Sequence, residues 1–206
     1  MRVDDYKNSQ ILAIKELQQL DPAQIAARSG AEWETVRLSL KFMNRLVWVS
    51  VPDYVVTWAD QGEGEEFSLT DGVLVLHYLL GAKGLEPQGE WVAYRQIPGG
   101  EFYHQAFHRR AEIPLAQVFG HKPGLFTKVT ALLGGVERPG LGDEAASFRV
   151  LPHLDIALLV RHGDEEFEPD GQVLFDKTIV MYLNIEDVAW LGSALVYRLM
   201  GAARGL

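Results

Sequence analysis

VRLSLKFMNRLVWVS, residues 36–50, decides between two folds. Joined to the preceding QIAARSGAEWET (24–35), it offers a helix-turn-helix in outline, with Ile25, Ala26, Gly30, Thr35, Val36 and Leu40 in tempting places. A recognition helix needs apolar residues at three- and four-residue steps. Val36, Leu38, Leu40 and Phe42 instead alternate with Arg37, Ser39 and Lys41, the period of a strand. Asn44-Arg45 reads as a turn, after which Val47, Val49 and Val51 resume the alternation around Trp48 and Ser50. The stretch therefore predicts a β-meander over 33–58, completed by Tyr54 to Trp58, and no DNA-reading helix.

Helical patterns surround this meander. Tyr6, Ile11, Leu12, Ile14, Leu17 and Leu20 recur at helical spacing over residues 4–19. Asp21 then suits an N-cap, Pro22 a first helical position and Gly30 a stop, which gives N-terminal helices over 4–28. Gln61 to Glu66 reads as a loop, and Ser68, Thr70 or Asp71 opens a helix reaching Gly81 or Gly84, with Val73, Leu76, His77 and Leu80 on its face. Further helices are predicted over Glu101–Arg110, Pro114–Phe119 and Gly124–Leu133, so the central helices occupy 68–133. GGVERPGLGDE (134–144) reads as a hinge. The C-terminal strands and helix cover 145–200: strands at Ala145–Leu151 and Leu154–Val160 flank Pro152, and Asn184 with Asp187 caps a helix from Ile185 to Met200. Helices and antiparallel strands without a regular βαβ alternation predict an α+β fold, an antiparallel meander sheet covered by helices, as a single domain over 1–206.

The formal charge of −9 and a pI near 5.1 argue against phosphate-tracking nucleic-acid binding and against anionic membrane surfaces. With no cysteine in the chain, disulfides, cysteine-held metals and thiol nucleophiles are excluded. The start, MRVDDYKNSQ, shows no signal-peptide pattern, and the apolar run from Gly72 to Ala82 is too short for a membrane span, so a cytoplasmic location is expected.

The stretch with the densest chemistry is WVAYRQIPGGEFYHQAF (91–107). Alternation of Trp91, Ala93 and Arg95 with Val92, Tyr94 and Gln96 predicts a strand, which Pro98-Gly99-Gly100 stops before a helix begins. Backbone N–H groups at Gly99, Gly100 and Glu101, together with Arg95, make an anion site one reading; a tight corner closed by an internal Arg95–Glu101 ion pair is the other. Trp91, Tyr94, Arg95, Gly99, Gly100, Tyr103 and Phe107 are the ligand-binding candidates. Burial of Arg95 against a carboxylate marks architecture, and an Arg95 aimed with the glycines into an open pocket marks a site.

Asp164, Glu165, Glu166, Glu168 and Asp170, with Asp176 nearby, supply the oxygen ligands that a divalent cation needs, although without EF-hand spacing; a solvated turn carries the same residues. His104 and His108 stand four apart on one predicted helix face, with Glu101, Glu112 and His121 as further possible ligands. Gln105 occupies the position of the base in HExxH, so a metalloprotease is not indicated. His77 reads as a hydrogen-bonded core histidine. GxSxG, SxxK and Gly-rich phosphate loops are absent, which weighs against an enzyme.

The succession GEWVAYRQIPGGEFYHQAF (89–107), IPLAQVFG (113–120), LLGG (132–135), GDEA (142–145), GDEEFEP (163–169), VLFD (173–176) and YLNIEDVAWLG (182–192) resembles the uncharacterised domain-of-unknown-function 3786 family. The likeness covers almost the whole chain after about residue 20. Its implications are a source among mostly anaerobic bacteria and archaea and, in some relatives, fusion to an iron–sulfur domain of the kind seen in corrinoid proteins; a chain without cysteine departs from such fused forms. The resemblance carries over no catalytic residue and no cofactor. The expectation is a binding or accessory module for a small anionic or tetrapyrrole-like ligand. Its alternatives are a divalent-metal-dependent hydrolase or lyase using the acidic turn, and a homodimeric interaction module with an exposed aromatic patch.

Overall fold

The computed structural model describes residues 3–60 and 65–206, so most of the predicted 61–66 loop lies outside the described residues. The fold is α+β, and backbone contacts group the chain into two compact units. The first is Met1–Glu86 with Leu151–His153 and Met181–Leu183; the second is Pro87–Val150, Leu154–Val180 and Asn184–Leu206.

In the first unit, α1 (Val3–Leu17) is followed by α2 (Pro22–Ser29), whose cap is the predicted one: Asp21 accepts from the Ala23 N–H, and Gly30 stops the helix at φ 67°. Strands β1 (Glu32–Glu34), β2 (Arg37–Phe42), β3 (Arg45–Ser50) and β4 (Val56–Trp58) form an antiparallel meander in that order. Strict alternation places Leu38, Leu40, Phe42, Val47 and Val49 inside, each at most 3% exposed. The hairpin turn sits one residue earlier than predicted. Met43 and Asn44 both take positive φ, 48° and 66°, which matches the twist of a two-residue hairpin and leaves Phe42 opposite Arg45. Short β1 occupies a segment that the helical reading of 24–40 would have made a turn.

Ser68 caps α3 (Leu69–Gly81) by accepting from the Asp71 N–H. This helix is wider in its apolar face than the predicted stripe, with Gly72 to Leu76, Tyr78 and Leu79 all buried. His77 hydrogen-bonds Ser9 of α1 through Nε2 at 3.0 Å, as a polar contact within packed helices. On α1 itself Leu17 is buried, whereas Ile11 and Leu12 of the predicted stripe are exposed.

The second unit does not extend that meander. Strand β5 (Trp91–Ala93) joins β6 (Val136–Glu137), β7 (Glu144–Leu151), β8 (Leu154–Arg161) and β9 (Asp170–Asp176) in a separate antiparallel sheet of order β5-β9-β8-β7-β6. The predicted hinge at 134–144 thus contains β6, paired through Val136 with Ser147. Around the sheet run α4 (Gly100–Phe107), α5 (Ile113–Phe119), α6 (Leu125–Leu132) and α7 (Ile185–Ala203). Asn184 caps α7 by accepting from the Glu186 and Asp187 N–H groups, both at 2.9 Å. Glu144 caps α6 from outside the helix, accepting from the Gly124 and Thr127 N–H groups. No helix among the described residues is long and apolar enough to cross a membrane.

Candidate functional site

The 91–107 stretch folds differently from its alternation. The strand ends at Ala93, because Tyr94–Gln96 turns into a 3₁₀ helix whose Gln96 side chain accepts from the Ala93 N–H at 2.7 Å. Tyr94 thereby drops into the core, 1% exposed, and its ring stacks on Phe107 with centroids 4.4 Å apart. Phe175 of β9 closes the cluster, 6.3 Å from Tyr94 and 6.0 Å from Phe107. Burial pushes the Tyr94 phenol up to about 12, and its hydroxyl donates to the Ile185 carbonyl at 3.2 Å. The Gly100 N–H donates to the Ile97 carbonyl at 2.8 Å. Trp91 is half-buried on the edge strand, while Arg95 and Tyr103 are exposed. Among the described residues no ion pair joins Arg95 to Glu101. Tyr94, Gly100 and Phe107 are thus packed together inside, and Arg95 and Tyr103 stand apart from them at the surface.

The acidic residues are likewise separated by their hydrogen bonds. Asp164 caps its own turn, accepting from the Glu166 and Phe167 N–H groups at 2.8 Å, which hold its carboxyl below the usual range. Glu165 and Glu166 are exposed. Asp176, fully buried at the end of β9, accepts from the Thr178 N–H and Oγ1–H and from the Gly89 N–H. Burial alone would raise this carboxyl, but these bonds and one from Gln88 outweigh it and hold it below its ordinary value. A carboxyl depressed in the folded state contributes stability above its unfolded value and loses it as the pH falls through the folded one. Urea unfolding should therefore show stability falling on acidification below about pH 4. Asp176→Asn is expected to remove part of that acid limb and to cost about 1–3 kcal/mol at neutral pH; an unchanged acid limb would exclude Asp176 as its source. Among the described residues no group of three or more His, Asp or Glu side chains is placed to hold a metal ion.

A different part of the chain gathers chemistry around a cavity. The helix begun at Gly100 does not stop near Arg110 as predicted; residues His108–Glu112 form a π-helical turn that runs directly into α5. Pro114 is the physical cause. It has no N–H to donate and its ring crowds the carbonyl four residues back, so the chain widens and the Ile113 N–H donates to the His108 carbonyl instead. The widened turn buries Glu112, 6% exposed, in the protein interior. Its Oε1 accepts from the Val173 N–H at 3.3 Å, and its Oε2 lies 2.8 Å from His108 Nδ1. The His108 side chain is 43% exposed.

His108 and Glu112 open onto a cavity of about 370 Å³. Its helical wall continues through Ile113, Ala116 and Gln117, His121 follows just beyond α5, and Glu168 and Pro169 before β9 with Asp170 and Gly171 at its start complete the lining. Close packing sets this geometry: a Cβ on Gly171 would come within 2.9 Å of the Ala116 nitrogen and the Glu112 carbonyl. Asp170 is shared with Arg161 at 3.0 Å, and Glu168 is exposed. A second recess of about 200 Å³ is lined by His104, Gln105, His108 and Arg109. The predicted facing of His104 and His108 is observed, with ring centroids 5.8 Å apart, and His104 Nδ1 is buried without a hydrogen-bond partner.

The i, i+4, i+8 file of His104, His108 and Glu112 was visible in the sequence, but the partnership of Glu112 with His108 needed burial to become apparent. The signal that could have located the site was Pro114 inside an otherwise continuous helical run. π-turns inside α-helices are frequent at functional sites.

No match appears among the curated proteins or among the solved structures. Residues 21–198 match the family described as "Domain of unknown function (DUF3786)". The match spans the meander, the π-turn and the cavity, and the chain belongs to that family.

Proposed function

We propose that this protein is a small-molecule binding module whose site is the cavity at the π-turn. The observation that carries the reading is Glu112: a buried carboxylate inside a distorted helix, hydrogen-bonded to an imidazole that lines the same cavity. Buried charges are costly unless partnered, and a helix interior has cheaper ways to pack than a glutamate. The cavity volume lies at the lower end of small-molecule sites, which suits a compact ligand better than a tetrapyrrole. Its lining carries the carboxylates Glu112, Glu168 and Asp170 and no lysine or arginine, which favours a ligand that is positively charged or donates hydrogen bonds, in place of the anion suggested by Arg95.

Two-dimensional amide NMR with small alkylamines, guanidinium and small carboxylates as probes tests this. Amines and guanidinium are expected to shift the Ala116, Gln117 and Gly171 amides, with weaker shifts in His108→Ala. Shifts confined to other regions, or a preference for carboxylates, would overturn it.

A further inference from the structure

We propose that His108 is a general base and that the cavity supports proton abstraction from its ligand, with Glu112 as the positioning residue. This rests on the cavity being a small-molecule site. Glu112 Oε2 lies 2.8 Å from Nδ1, and an ionised carboxylate only accepts, so Nδ1 carries the hydrogen and Nε2 is left with a free lone pair. The Val173 N–H on Oε1 and the packing of Gly171 against the Glu112 carbonyl keep the carboxylate in place, so the imidazole is held in one tautomer and orientation. The ring itself remains 43% exposed and lines the cavity, so a bound molecule can reach it. None of the cavity's lining residues carries a hydroxyl or amine nucleophile, and an imidazole oriented by a carboxylate at Nδ1 is suited to proton transfer at Nε2.

The step is balanced without a further reagent. The Nε2 lone pair forms the new N–H bond, the substrate C–H bond breaks, and its electron pair stays on the substrate as an enolate-type anion. The imidazolium so formed is stabilised by the Glu112 carboxylate at Nδ1, and returning the proton at another carbon regenerates the neutral ring. The class of substrate is a compact carbon acid bearing a cationic or hydrogen-bond-donating group for Glu168 and Asp170.

Ring opening of 5-nitro-1,2-benzisoxazole, in which a base removes one C–H proton as the N–O bond breaks, reads this activity directly. The wild-type chain is expected to exceed free imidazole at equal concentration by about a hundredfold. His108→Ala should abolish the excess, and Glu112→Gln should lower kcat and shift the midpoint of the pH–rate profile downward, because an uncharged amide stabilises the imidazolium less. Acylation by diethyl pyrocarbonate, located by mass spectrometry, provides the second measurement. His108 should react faster than exposed His121, and that advantage should vanish in Glu112→Gln. A wild-type rate no higher than that of His108→Ala, or acylation of His108 no faster than of His121, overturns the proposal. Cavity amides shifted by amines alongside no ring opening would overturn the base while leaving the binding site standing.

Discussion

Gly100→Ala is expected to cost more than about 3 kcal/mol, whereas Gly99→Ala should cost about 1–2 kcal/mol. The two glycines share a turn but serve different ends. Gly99 has φ 82°, and its nearest neighbour to an added Cβ is Ile185 Cγ2 at 3.9 Å, so alanine there suffers only the left-handed backbone. At Gly100 an added Cβ would overlap the Tyr94 carbonyl oxygen and lie 3.0 Å from its carbon. That neighbour is backbone, fixed by the 3₁₀ turn that carries the Tyr94 ring inward, so relief requires moving the ring cluster. Thermal and urea unfolding of both variants would show it, and equal losses would mean that the turn gives way more easily than its packing implies.

Phe107→Ala should lose about 3–5 kcal/mol and, for a chain of this size, about 6–20 °C in Tm. Phe107 is 1% exposed, stacks on Tyr94, meets Phe175, and sits against Gly192 of α7, where a Cβ would come within 3.2 Å of its ring. It is also the residue from which the π-turn departs, so its loss should loosen the His108–Glu112 pair along with the core. Phe102, on the same helix but 81% exposed, is the control, and Phe102→Ala should change stability by less than about 0.5 kcal/mol. Comparable losses at the two positions would show that the ring cluster contributes little.

These expectations locate the boundary of what local pattern reveals. The meander was legible because one face of β2 and β3 is buried, and burial of one face imposes a period of two that competes directly with the helical period. The caps at Asp21 and Asn184 were legible, and Ser68 was among three candidates for the third, because a cap is made by a residue and the N–H groups two or three positions on. The strand ending at Ala93 was not. Beyond it the alternation of Tyr94 to Gln96 continues unchanged, yet the chain turns there into a 3₁₀ helix that packs the Tyr94 ring with Phe107 and Phe175. The acidic turn shows the same limit, since Asp164 and Asp176 look alike in sequence, yet one is exposed and the other bonded deep in the fold.

By itself the sequence determined the α+β class, the meander, most helix ends and, through the absence of cysteine, the chemistry that this chain does not perform, because each of these follows from neighbours in the chain or from composition. Only the tertiary structure decided where Arg95 and Tyr94 part company, how Pro114 converts a predicted break into a π-turn, and that Glu112 meets His108 on a cavity. The physical reason is that burial and hydrogen-bond partnership depend on segments distant in the chain: Val173 and Gly171 of β9 hold the Glu112 end of that pair, from some sixty residues away.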